Sequence, residues 1–260
     1  TELTEKYTES VVFHSNLVDK HPYNATAWYN LAHAYNGLNQ PSKALEAFEF
    51  VLAIDGNYDL AYLDAGDVLY KQQKYDKAIE FYLEAIEKGS AKKEIFYQIA
   101  KAYQKNNKYV KAREYLKKSI NIDPYYAKAF HKLGLNYLES NLPKNAISPL
   151  ERAVKLDNRN FEYLNSLAAA YFLNDKQDLA LECYHKMLDI NEGDKRIYLN
   201  IVSILYEQGR VGDAIETIDA CIPIFDDHAD LIYIKTVFLY ELGKKNEMFE
   251  EQLRILEVWL

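Results

Sequence analysis

The side chains best equipped for chemistry in this chain are two cysteines, Cys183 and Cys221, and six histidines, His14, His21, His33, His131, His185 and His228. A thiol activated by an imidazole is a nucleophile, and Cys183 stands two residues before His185. Residues two apart on a helix point in different directions, so that pair predicts no catalytic dyad. The histidines share no metal-ligand spacing with cysteine or carboxylate. No G-x-G-x-x-G, P-loop or H-E-x-x-H pattern occurs. These residues require no metal and no cofactor, and the chain reads as a non-enzyme. The cysteines are expected to be small buried or half-buried side chains. Asn24-Ala25-Thr26 is a glycosylation sequon, but it matters only in a secretory setting that nothing else suggests.

The elements that carry these side chains can be read from composition and period. The chain has 260 residues, 49% apolar and 27% charged, which places it among ordered proteins. Nine glycines and six prolines are too few punctuators for a strand-and-turn protein. No stretch approaches the roughly 20 apolar residues of a membrane span. No signal-peptide pattern opens the chain, and with two unpaired cysteines this favours the cytoplasm.

Ala44, Ala78, Ala112, Ala146, Ala180 and Ala214 recur every 34 residues without insertion. A second small column keeps the same period: Ala32, Gly66, Ala100, Gly134, Ala168, then Val202 and Thr236. Trp28, Leu31, Ala32 and Tyr35 fall on one helical face, and Ala44, Phe48, Val51 and Leu52 fall on another. Between the two helices, one column reads Asn39, Gln73, Asn107, Asn141, Asp175, Gly209 and Gly243. Asn, Asp and Gly suit the left-handed conformation that ends a helix, and Gln73 is the poorest fit. Pro41 and Pro143 sit near the first turn of the second helix, where a missing N–H costs nothing. Pro149 falls inside a second helix and should kink it. Each unit is therefore a helical hairpin, and hairpins that cannot bury both faces alone stack on one another. The expected fold is an all-α, right-handed superhelix, with first helices lining a concave face.

These residues resemble the tetratricopeptide repeat family. Its W-x2-L-G-x2-Y…A-x3-F…P pattern is met by Trp28, Leu31, Ala32, Tyr35, Ala44 and Phe48, and again by Phe130, Leu133, Gly134, Tyr137, Ala146, Leu150 and Ala153, with Pro124 closing the third unit. The resemblance covers about residues 25–260. It divides the chain into 1–24 (the second helix of a preceding repeat), then repeats at 25–58, 59–92, 93–126, 127–160, 161–194, 195–228 and 229–260. Val202, Thr236 and Met248 depart from the pattern and predict looser packing in the last two repeats. The absence of a first helix before residues 6–22, and an apolar close on Ile255, Leu256, Val258, Trp259 and Leu260, suggest a fragment of a longer repeat protein.

The resemblance implies a groove lined by fixed positions of each first helix. The family's chaperone carboxylate clamp needs Lys, Asn and Arg at positions that no frame of this sequence fills completely. The asparagine ladder of its glycosyltransferases is absent too: the sixth column reads Asn30, Asp64, Gln98, Lys132, Ser166, Asn200 and Ile234. The columns that remain give a mixed polar and aromatic N-terminal groove and a markedly apolar C-terminal one. The candidate peptide-binding residues are Tyr97, His131, Leu135, Leu138, Asn165, Phe172, Leu199, Tyr206, Tyr233 and Tyr240. A long apolar strip points to an apolar or amphipathic segment as partner, unless curvature or a further helix covers it.

Charge is uneven. Residues 1–130 are net neutral, and residues 131–260 carry the whole net charge of −8. A basic run over 88–118 includes Lys105, Lys108, Lys111, Arg113, Lys117 and Lys118. Residues 211–234 hold Asp213, Glu216, Asp219, Asp226, Asp227 and Asp230 and no Lys or Arg. Both runs read as solvated convex faces; the sharper alternative is that the basic one recruits an acidic protein or RNA. The acidic balance argues against nucleic acid as the main partner. The functional expectation is a non-catalytic scaffold that holds a peptide, helix or protein segment. The alternatives are the substrate-recruiting region of a larger enzyme, or self-association through the solenoid ends.

Overall fold

The computed structural model describes residues 2–225, 228–244, 246–248 and 250–251. Among them every regular element is a helix. The chain divides into two compact units, residues 1–140 and 141–260.

The first unit contains α1 (Glu2–Lys20), α2 (Ala25–Gly37), α3 (Pro41–Ile54), α4 (Asp59–Lys71), α5 (Tyr75–Glu87), α6 (Lys93–Lys105), α7 (Tyr109–Ile122) and α8 (Ala127–Glu139). Its principal packing is between helices consecutive in sequence. Ala44, Ala47, Phe48 and Val51 of α3 pack with Ala61, Ala65 and Val68 of α4. Tyr82 of α5 is fully buried, in a cluster with Ile95 and Ile99 of α6. Gly66 is small because a Cβ there would lie 2.7 Å from the Tyr82 ring.

The second unit contains α9 (Pro143–Leu156), α10 (Phe161–Phe172), α11 (Gln177–Leu188), α12 (Lys195–Glu207), α13 (Val211–Cys221), a 3-10 turn (Ile222–Ile224) and α14 (Ala229–Glu241). The helix α9 runs unbroken through Pro149. Leu150, Leu164, Ile197, Ile201, Ile218 and Leu231 are fully buried. Val202 and Thr236 are buried despite their size, and the Thr236 hydroxyl donates to the Ile232 carbonyl at 2.8 Å. Lys235 is also buried, its ammonium 2.5 Å from Asp219 and 2.7 Å from Glu251. The apolar close at 255–260 and the acids Asp226 and Asp227 lie outside the described residues.

The turn column adopts the left-handed conformation at every position: φ is 55° at Asn39, 61° at Gln73, 56° at Asn107, 58° at Asn141, 57° at Asp175, 74° at Gly209 and 72° at Gly243. Gln73 takes it despite lacking the local side-chain compensation of Asn or Asp. Asn24, the first residue of the sequon, caps α2: its side-chain oxygen accepts from the Ala27 N–H at 3.0 Å. Pro41 and Pro143 stand in the first turns of α3 and α9.

Candidate peptide-binding groove

In the second unit, three helices present equivalent stripes. Positions four and seven residues apart on a helix share a face. Asn165, Ala169 and Phe172 on α10 therefore correspond to Leu199, Ser203 and Tyr206 on α12, and to Tyr233, Val237 and Tyr240 on α14. Exposure rises along the series for the aromatic column: Phe172 is 36%, Tyr206 41% and Tyr240 63% exposed. Tyr233 and Val237 are exposed as well, Asn165 is exposed, and Leu199 is half-buried. The Tyr206 ring stacks on Phe238 at 4.8 Å, and its hydroxyl donates to Glu241 at 3.0 Å. These two contacts tie α12 to α14 and fix the ring. Hydrogen bonding to that carboxylate raises the Tyr206 pKa.

A cavity of about 400 Å³ lies between α10 and α12, lined by Phe161, Asn165, Met187, Ile197, Leu199 and Asn200, with Asp194 and Arg196 beside them. Asp194 caps α12 through the Arg196 N–H at 3.1 Å and grips the Arg196 guanidinium at 2.8 Å. That guanidinium holds the Asp194 carboxyl below the usual carboxylate range.

The corresponding face of the first unit is built differently. The Tyr29 hydroxyl donates to Asp64 at 2.5 Å, and His33 Nε2 lies 3.0 Å from the same oxygen. The Tyr82 hydroxyl donates to Asp67 at 2.6 Å, and Gln98 reaches it at 3.4 Å. Lys101 donates to Gln98 at 2.9 Å, its ammonium 4.9 Å from the Tyr70 ring centre and 5.8 Å from that of Tyr97. Burial lowers the Lys101 pKa. Gln104 donates to Glu139 at 2.5 Å.

The sequence-predicted residues thus fall into two groups. Asn165, Phe172, Leu199, Tyr206, Tyr233 and Tyr240 gather on α10, α12 and α14 of the second unit. Tyr97, His131, Leu135 and Leu138 belong to the first unit and are less open. His131 is only 5% exposed, so its imidazole is not offered to a ligand. Tyr97 is half-buried against Tyr126, with ring centres 5.6 Å apart, and Leu135 and Leu138 are half-buried. Sequence reasoning missed Leu173 and Leu242, which are 59% and 47% exposed at the ends of α10 and α14. Both follow the periodic aromatic column closely, and continuing that column by one or two residues would have found them.

Residues that could have carried chemistry are dispersed. Cys183 and Cys221 are free and buried, and burial pushes both thiols up to about 11. His185 is exposed on the opposite side of α11 from Cys183. Among the described residues, no three His, Cys, Asp or Glu side chains gather to hold a metal ion. No described helix is long and apolar enough to cross a membrane. Much of the basic run is engaged within the chain: Lys108 pairs with Asp76 at 2.8 Å, Arg113 donates to Asn136 at 2.9 Å, and Lys118 lies 4.4 Å from the Tyr115 ring centre. In the acidic run, Asp213, Asp219 and Asp230 pair with Arg210, Lys235 and Lys195.

Comparison with known proteins agrees with this architecture. The family described as "Tetratricopeptide repeat" matches residues 25–58 and 93–126, and one described as "TPR repeat" matches 66–107. No curated protein matches the chain. Among solved structures, the C-terminal part of a TPR repeat-containing protein from Cytophaga hutchinsonii is similar, with a TM-score of 0.71 and 19% identity, over 87% of this chain and 94% of that one. YrrB, described as a TPR protein with an unusual peptide-binding site, gives 0.60 and 19%, over 75% of this chain and 97% of its own. MamA from Desulfovibrio magneticus gives 0.61 and 19%, over 66% and 97%. The helical hairpins, the small-residue columns and the left-handed turns have one explanation: this chain carries tetratricopeptide repeats, matched over 25–58, 66–107 and 93–126, and has the fold of an α-helical solenoid.

Proposed function

We propose that the chain is a non-catalytic protein-interaction scaffold, built from the successive repeats that begin at residue 25. Its second unit holds an apolar or amphipathic peptide or helix against α10, α12 and α14. The observation that carries this reading is the exposed aromatic series Phe172, Tyr206 and Tyr240, repeated at one position of three helices. Monomer surfaces rarely leave such rings contiguous without a partner, because each buried ring is worth roughly 1.5–3 kcal/mol. The cavity beside Leu199 adds a place for one anchoring side chain. The peptide-binding site described for YrrB, a neighbour in fold, is consistent with such a use.

The test is a pull-down compared between the native chain and Phe172→Ala/Tyr206→Ala, with helicity followed by circular dichroism. Loss of the captured partners at unchanged helicity is the expected result. Capture that persists in the double variant overturns the groove reading.

A further inference from the structure

Charges around the α10–α12–α14 face indicate what its occupant carries, an inference that rests on the groove reading above. Four described bases on or just after α12 and α14 pair with local acids: Lys195 with Asp230 at 2.9 Å, Arg196 with Asp194 at 2.8 Å, Arg210 with Asp213 at 2.6 Å and Lys244 with Glu247 at 3.2 Å. Glu207 and Glu241 differ. Both are exposed, and they accept from neutral donors, Gln177 at 3.1 Å and the Tyr206 hydroxyl at 3.0 Å. Each directly follows a ring of the face, Glu207 after Tyr206 and Glu241 after Tyr240. Each is also the last residue of its helix, α12 or α14, where the macrodipole adds partial negative charge. One edge of the apolar face is therefore an acidic rim, in the half of the sequence that carries the net charge of −8.

We propose that the groove takes a basic amphipathic segment. Its bulky apolar side chains lie on Phe172, Tyr206 and Tyr240, and its adjacent lysines or arginines pair with Glu207 and Glu241. A segment with the same apolar face and acidic flanks meets like charge and is rejected.

Two synthetic fluorescent helices test this by anisotropy: a leucine/lysine amphipathic peptide and a leucine/glutamate peptide with the same apolar face. The leucine/lysine peptide should bind about tenfold or more tightly at low salt. Glu207→Gln/Glu241→Gln should remove most of that preference. Glu182→Gln/Glu216→Gln, which changes exposed acids on α11 and α13, should leave it intact and so separates the rim from bulk charge. Tyr206→Ala/Tyr240→Ala should weaken both peptides. If both peptides bind equally and both depend on the tyrosines, the groove stands and the basic partner is overturned. If the preference survives Glu207→Gln/Glu241→Gln, the rim assignment is overturned. If neither peptide binds, or binding ignores the tyrosines, the groove reading itself fails.

Discussion

In the first unit, the side chains at the groove positions of the helices mostly bond one another. Tyr29 and His33 converge on Asp64, Tyr82 and Gln98 on Asp67, and Lys101 lies over Tyr70 and Tyr97. In the second unit the same positions carry Phe172, Tyr206, Tyr233, Val237 and Tyr240, all exposed. One repeat architecture thus supports two surfaces, one satisfied internally and one with apolar area still in water. Burying apolar area drives association, whereas breaking an internal polar bond to make an external one yields little net gain. The difference explains why the proposed partner belongs to the second unit. It also reaches towards the interior: the first unit holds a half-buried Asp67 against neutral donors, whereas the second buries Lys235 between two carboxylates.

That interior contrast predicts the largest effect. Lys235→Met leaves Asp219 and Glu251 without their cation, Glu251 being buried, and should cost about 3–5 kcal/mol. Urea denaturation measures it. A cost under about 1 kcal/mol would mean that the ion triad does not hold the end of the second unit together.

The small-residue column sharpens the comparison further. Gly66→Ala would place a Cβ 2.7 Å from the ring of Tyr82, which is fully buried and tied by its hydroxyl to Asp67. Overpacking of this kind costs about 1–3 kcal/mol. In the second unit the same column already holds Val202 and Thr236, both buried. There the reverse change, Val202→Ala, should be the costly one, at about 1–2 kcal/mol from the lost methyls and the space they leave. Thermal or urea unfolding of both variants decides whether the units pack around different volumes.

How far the sequence could show this depends on what each column encodes. The period of 34 residues, the alanines at 44, 78 and 112, and the left-handed turns at Asn39 and Gly209 are local demands of close approach and backbone conformation, so they are legible in residue type. The grouping of the exposed rings on α10, α12 and α14 was legible for the same reason. Depth was not. His131 and Tyr233 occupy the same column, yet one is 5% and the other 64% exposed, because that depends on the side chains of neighbouring helices. Tyr97 and Tyr240 stand alike as candidates in the sequence. The engagement of Tyr97 with Tyr126, like that of Tyr29 with Asp64 and of Tyr70 with Lys101, follows from contacts between helices 30 or so residues apart, which no single column records.

A smaller effect, dependent on pH, separates the polar interior of the first unit from a merely inert one. Burial raises the Asp67 carboxyl above its ordinary value, against the Tyr82 hydroxyl, which lowers it. A pKa raised on folding gives stability that is full below the unfolded value and is lost as pH rises through the folded one. Asp67→Asn keeps an oxygen for Tyr82 and removes that loss. It should therefore be more stable than the native chain at neutral pH, with the advantage gone below the ordinary carboxylate range. Urea midpoints across that range provide the measurement, and an advantage that grows in acid would contradict the assignment.

The smallest effect concerns the turns, where the units are alike except at Gln73. Asn, Asp or Gly fills the other six positions of that column, all with positive φ. Gln73 holds φ at 61° on an exposed turn without a side chain short enough to compensate locally. Gln73→Asn should stabilise the first unit by about 0.5 kcal/mol, and Gln73→Gly by a similar amount, since glycine relieves more steric strain but loses more entropy. Control substitutions at Asn107, to Gln, should reverse the sign by the same amount. If instead Gln73→Asn is neutral while Asn107→Gln destabilises, the strain at Gln73 is already relieved by its surroundings, and the turn column is not uniform between repeats.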